Sequence, residues 1–196
     1  MSLAILGLDK TGTDLYVVTD KRTVKEIDFS FVSDNNYKIH HLREDLVYFG
    51  SSYTRVQDAI IPLTNQIKNL PATKIIQRIK EWDRRFITLD GKIKRLGVQL
   101  AGVYDDGRLF IAAFQEDGNI DMHFAVKGQL NGTIHSPDDE VTQSGMKYLP
   151  TVVKSGLFNG MVETAHYLAS IDSKISPDLD FYHISISEIN KSSLIN

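Results

Sequence analysis

Ser2 stands directly after Met1 and heads the apolar run Leu3-Ala4-Ile5-Leu6-Gly7-Leu8. A serine at the start of a mature chain carries its own base. The α-amine, with an ordinary pKa near ~8, can take the hydroxyl proton at neutral pH. Nucleophile and base are then one residue. The small second residue permits removal of Met1, which that chemistry requires. A polar cluster, Asp20-Lys21-Arg22-Thr23, ends the next apolar run, Tyr16-Val17-Val18-Thr19. Lys38 follows at the head of a further short run. A second reading of the same residues is structural: a β-hairpin, a local Asp20–Arg22 ion pair, and a lysine on an edge strand.

Other residues that could do chemistry point elsewhere less well. His40 and His41 are adjacent, and neighbours on a strand face opposite ways, so they do not chelate one ion together. His123, His135, His166 and His183 lack ligand spacing, so no metal is expected. Asp105-Asp106 and Glu116-Asp117 are carboxylate pairs in tight-turn sequences, where aspartate is favoured for its turn geometry. Gly128-Gln129-Leu130-Asn131-Gly132 lacks the Gly-Lys-Ser/Thr ending of a phosphate loop. Cysteine is absent, which removes disulfides and thiolate chemistry. A net charge of -3 and scattered aromatics argue against nucleic acid. No segment reaches the ~20 apolar residues that span a bilayer, and the first run is interrupted by Asp9 and Lys10 before it resembles a signal peptide. A cytoplasmic protein without cofactor is the expectation.

The elements that must position these residues alternate between strand and helix. At 196 residues and 42% hydrophobic content, one domain over residues 1–196 is expected. Leu3–Leu8 and Leu15–Thr19 read as a hairpin around Asp9–Asp14. Phe29–Val32, Tyr37–His41 and Leu46–Phe49 read as further strands. Val56, Ile60, Leu63 and Ile67 share one helical face, with Pro62 kinking the helix or delaying its start. Ile75, Ile79, Trp82 and Phe86 mark a second helix behind Pro71. Gly97–Tyr104, Arg108–Phe114 and Ile120–Val126 form a meander with Asp-Gly turns. Lys127–Gly145 is polar and glycine-bearing, and reads as a long loop. Leu157, Met161, Ala165 and Leu168 share a helical face, and Phe181–Ile186 closes the chain as a strand. The pattern predicts two antiparallel sheets stacked face to face with helices outside.

The run Ala4–Leu8, the hairpin into Asp20–Thr23, then Asn36-Tyr37-Lys38-Ile39 and Phe49-Gly50-Ser51, resembles the first part of proteasome β-type subunits and the proteasome-like bacterial peptidases. The later order of elements agrees with that family. The resemblance implies an α+β fold, a four-layer αββα sandwich of the N-terminal-nucleophile hydrolases. It places Ser2 where the family has its nucleophilic threonine, without the methyl that fixes the threonine rotamer. It places Asp20 at the acidic position ending the second strand, and Arg22 at the structural arginine beside it. Lys38 falls on the lysine that lowers the pKa of the N-terminal group, and Gly50 on the oxyanion-hole N–H. Asp172, with Ser173 or Ser176, matches the aspartate and serine that orient the amine. A Gly-Ser-rich loop after the meander is replaced here by Lys127–Gly132.

The activity implied is hydrolysis of peptide or amide bonds in a homo-oligomeric ring. The partners implied are a peptide or protein substrate, with a regulatory ATPase as a further candidate. Two other readings stand beside it. One is a non-catalytic scaffold or ring subunit of the same fold. The other is a small-molecule-binding module with Lys127–Gly145 as a loop over its site.

Overall fold

The computed structural model describes residues 3–24, 31–34, 37–50, 65–83, 98–115, 118–136 and 138–192. Its first hairpin joins β1 (Ala4–Leu8) to β2 (Asp14–Asp20). The turn is organised by one carboxylate. Asp9 accepts the backbone N–H groups of Thr11, Gly12, Thr13 and Asp14 at 3.1–3.2 Å. Gly12 supplies the positive φ, 79°, that lets the chain wrap around that carboxylate. The turn sets the register Leu8↔Leu15 through Ala4↔Thr19. Asp20 therefore comes opposite Leu3, and its N–H donates to the Leu3 carbonyl at 3.3 Å.

Two further short strands, β3 (Thr23–Val24) and β4 (Phe31–Ser33), pair with each other. Then come β5 (Ile39–Arg43), β6 (Leu46–Gly50), a helical turn at 65–67 and α1 (Ala72–Asp83). The meander is β7 (Val98–Val103), β8 (Leu109–Phe114) and β9 (Ile120–Phe124). The chain returns through β10 (Asn131–His135), α2 (Asp139–Val152), a 3-10 turn (Val153–Ser155), α3 (Leu157–Ile171), β11 (Leu179–Ser185) and α4 (Ile186–Ser192). One sheet has the order β10-β1-β2-β11 and the other β5-β6-β7-β8-β9, with every pairing antiparallel.

Side-chain alternation divides the core into three apolar layers. Ala4, Leu6, Leu8, Leu15 and Val17 meet Val47, Phe49, Ala101 and Ile111 between the sheets. Leu3, Ile5 and Val18 turn the other way, onto Met161, Ala165 and Leu168 of α3. Tyr48, Leu100, Phe110 and Ala112 turn outward from the second sheet onto Ile75, Ile76 and Ile79 of α1. The result is the α+β, four-layer αββα sandwich expected from the element order. The turn aspartate Asp105 caps α1, accepting from Ala72 N–H at 2.5 Å and Thr73 Oγ1 at 2.5 Å. Its neighbour Asp106 holds Arg108 at 2.6 Å. Both carboxylates therefore have structural work.

One expectation fails. Lys127–Gly145 is not a loop: it contains β10 and the first half of α2. β10 buries one apolar side chain, Ile134, so it carries little hydrophobic signal. It is a strand because β1 pairs with it from Ala4↔His135 to Leu8↔Asn131, a case of tertiary pairing overriding composition. The start of α2 is marked by Asp138, whose side chain accepts from Glu140 N–H at 2.9 Å. The loop-covered binding module loses its loop with this correction. The expected helix at 56–67 is visible at 65–67 alone, with Ile67 buried; its earlier residues lie outside the described residues, as do Phe86, Glu116 and Asp117.

Gly132 lies against β1, and an added Cβ would meet the Leu6 carbonyl oxygen. Gly132→Ala should destabilise the fold by about 1–3 kcal/mol, because backbone and not a flexible side chain must yield. Urea denaturation followed by circular dichroism would show the midpoint fall.

Candidate active site

The register that brings Asp20 opposite Leu3 also buries its carboxylate completely. Four donors converge on it. Leu3 N–H and the Lys38 ammonium each bind Oδ1 at 2.7 Å. Arg22 N–H and Ser176 N–H reach Oδ2 at 3.0 and 3.2 Å. A buried carboxylate is tolerated where opposite charge and several donors replace its hydration. Lys38 is 3% exposed and also donates to the Arg22 carbonyl at 2.7 Å. Burial pushes its pKa below the ordinary lysine value, and the charge of Asp20 opposes that shift.

A second ion pair braces the first. Arg22 grips Asp34 through Nε and Nη2, both at 2.9 Å, in a bidentate fork. Its Nη1 donates to the Ser173 carbonyl at 2.6 Å and the Ile175 carbonyl at 3.2 Å. The hydrogen bonds from Arg22 hold the Asp34 carboxyl below the usual aspartate range. Arg22 thereby ties the strand end to the turn after α3.

That turn carries the remaining expected residues. Asp172 ends α3, is 7% exposed, and accepts Lys174 N–H at 2.9 Å. Lys174 Nζ lies 3.6 Å from its other oxygen. Asp172 is thus engaged within its own turn. Ser176 is fully buried; its N–H meets Asp20 and its Oγ accepts Asp178 N–H at 3.0 Å. Of the two serines, Ser176 contacts the carboxylate, and Ser173 contributes its carbonyl to Arg22. Gly50 ends β6. The register Ile39↔Phe49 puts Lys38 and Gly50 at the same end of the β5–β6 pair, each one step beyond. The sequence-expected Asp20, Lys38 and Ser176 meet around one point, Gly50 shares the sheet end of Lys38, and Asp172 is one turn away. Ser2 lies outside the described residues; its successor Leu3 is the group bonded to Asp20.

Two residues escaped the sequence reading. Asp34 sits in a short polar stretch with no motif to mark it. Ser136 follows β10, and the register Ala4↔His135 puts it one step on, across from Leu3. Its Oγ donates to the Asp138 carbonyl at 2.6 Å and lies 2.9 Å from Thr142 Oγ1. At this sheet end the chain therefore presents Ser136, whereas Lys127–Gly132 lies toward the opposite end of β10. The legible signal at Ser136 was Ser-Pro-Asp before two acidic residues, a helix start.

His40 stacks on Tyr48 at 4.8 Å, whereas His41 meets Tyr182 edge-on at 4.7 Å, so the adjacent rings face opposite sides. Among the described residues no cluster of three or more metal-ligating side chains forms, and no helix is long and apolar enough to cross a membrane.

Comparison with known proteins agrees with this architecture. No family model matches the chain, and no curated protein matches it by sequence. The solved structure of eukaryotic HslV from Trypanosoma brucei superposes with a TM-score of 0.62 over 93% of this chain and 99% of that one, at 12% identity. The chain has the fold of the proteasome β-like N-terminal-nucleophile hydrolases.

Removing one partner of the buried pair should be costly. Lys38→Met strands the Asp20 charge and should cost about 3 kcal/mol or more. Lys38→Met combined with Asp20→Asn should cost less than the two single losses summed, read from a double-mutant cycle in urea. Asp34 contributes differently with pH. Its folded pKa is lowered, so its stabilisation is full above the unfolded carboxylate range and disappears as pH falls through the folded value. Wild type should exceed Asp34→Asn by roughly 1 kcal/mol at pH 7, a gap that narrows below about pH 4 in pH-dependent melts.

Proposed function

We propose that the chain is an N-terminal-nucleophile hydrolase of peptide or amide bonds that works as a homo-oligomer. The observation that carries this reading is the buried Asp20 carboxylate holding Leu3 N–H and the Lys38 ammonium at 2.7 Å each. A lysine 3% exposed is an expensive fixture. Sharing Asp20 Oδ1 with Leu3 N–H suits it to keep the amine of the preceding residue neutral and to stabilise negative charge developing beside it.

In the proposed reaction the Ser2 α-amine takes the hydroxyl proton as Oγ attacks the carbonyl carbon. The Gly50 N–H receives the oxyanion. The C–N bond breaks as the amine returns the proton to the leaving nitrogen, and water then hydrolyses the ester by the same route. Ser176 and Asp172 belong to the shell that sets the amine's position. A regulatory ATPase partner is part of the same proposal, because the ring arrangement of the fold family calls for controlled access.

The proposal requires a freed Ser2. Intact-mass analysis should show loss of Met1 and a covalent adduct with a peptide boronate or β-lactone. Ser2→Ala should abolish adduct and peptide hydrolysis, and Lys38→Ala should lower the rate by about a hundredfold or more. A retained Met1 with no adduct would leave the non-catalytic ring subunit as the better account.

A further inference from the structure

Beside Ala4 and Gly50 the apolar layer between the sheets gives way to a cavity of about 410 Å³ with a mixed polar and apolar wall. Gln99 and Ala113 face it from the second sheet, since their neighbours Val98, Leu100, Ala112 and Phe114 point outward toward the α1 layer. Thr133 and His135 face it from β10, since Ile134 between them points to α3. Asp139 and Thr142 of α2, with Gln115 and the inner atoms of Val98, Phe114 and Ile134, make up the rest of the wall. The strand registers fix its position. Gln99 pairs with Phe49, Val98 with Gly50, and His135 with Ala4. Antiparallel partners lie ~5 Å apart, so the cavity lies beside Ala4 and Phe49.

Its chemistry is unbalanced. Gln99 is 3% exposed, yet its Oε1 accepts no hydrogen bond among the described residues. A buried carbonyl oxygen of this kind costs free energy until a donor reaches it. At the rim the exposed Asp139 adds a carboxylate. No lysine or arginine is among the described lining residues, and His135 is itself engaged in an interaction. The floor holds an unfilled acceptor, Gln99 Oε1, and the rim favours positive charge. The volume is in the lower part of the ~300–1,000 Å³ range of ligand pockets, room for one long side chain and its water.

We infer that this cavity is a specificity pocket for a basic residue, lysine or arginine, of the peptide substrate. The substrate assignment rests on the hydrolase reading; the pocket's preference for a cationic donor does not. The ammonium or guanidinium donates to Gln99 Oε1 at the floor and is neutralised by Asp139 at the rim.

The test uses the full chain and two probes, N-acetyl-arginine methylamide and N-acetyl-norleucine methylamide, titrated by saturation-transfer NMR. The arginine amide should bind about tenfold tighter, as befits a hydrogen bond from a charged donor. Gln99→Leu should erase that preference, with its fold checked by circular dichroism. Asp139→Asn, on the exposed rim, should reduce it severalfold and serves if Gln99→Leu does not fold. Equal binding of the two amides to wild type overturns the inference and marks a water-filled cavity. Peptide hydrolysis is measured in parallel with arginine and norleucine substrates. Preference for the arginine amide without any hydrolysis upholds the pocket and sinks the hydrolase reading. Hydrolysis indifferent to arginine, and unchanged in both variants, sinks the pocket and leaves the hydrolase standing.

Discussion

The Asp20 carboxylate is the point on which the architecture converges. Held away from water, it must be neutralised and hydrogen-bonded from every side, and its four partners come from four segments: the residue before β1, the link between β2 and β3, the residue before β5 and the turn after α3. Each partner is far from the others along the chain. Satisfying one charge therefore locks strand ends and a helix turn into one geometry. A carboxylate on the surface would impose none of this, because water would serve in place of any missing donor.

Arg22 extends the same constraint outward. Its fork on Asp34 and its bonds to the Ser173 and Ile175 carbonyls pin the turn that presents Ser176 to Asp20. Lys38 receives opposing influences, with burial disfavouring its charge and Asp20 favouring it. The pair is costly as a source of stability and well suited to holding a cation where apolar packing alone would exclude one. Two strands along the same sheet end, the inter-sheet layer that is filled by Phe49, Ala101 and Ile111 elsewhere becomes the cavity at Gln99. Charge and space are thus concentrated at one end of the sandwich, and the other end is closed by the saturated Asp9 turn.

Much of this was legible beforehand where burial is two-sided. Leu3–Leu8 and Leu46–Phe49 are apolar throughout because each lies between another sheet and a helix layer, and such runs announce themselves. The Asp-Gly turns of the meander and the Ile75–Ile79 spacing of α1 were equally plain. β10 was not. With Asn131, Gly132 and Thr133 in its sequence, nothing local distinguishes it from a loop, and its strand character comes from β1. α2 is hidden for the same reason, since Gly128, Gly132, Pro137 and Gly145 make this polar stretch read as a loop.

Residue types and order alone established the layered α+β plan and the absence of thiol chemistry, which follow from alternation, helical period, turn residues and composition. The candidates Asp20, Lys38 and either Ser173 or Ser176 came from the family resemblance. Only the folded chain decided that Lys38 is buried and not on a surface, that Ser176 and not Ser173 meets Asp20, that Ser136 stands across from Leu3, and that Gln99 faces an open cavity. These depend on register and on which layer covers a strand. Both arise from contacts between distant segments, which no local pattern encodes.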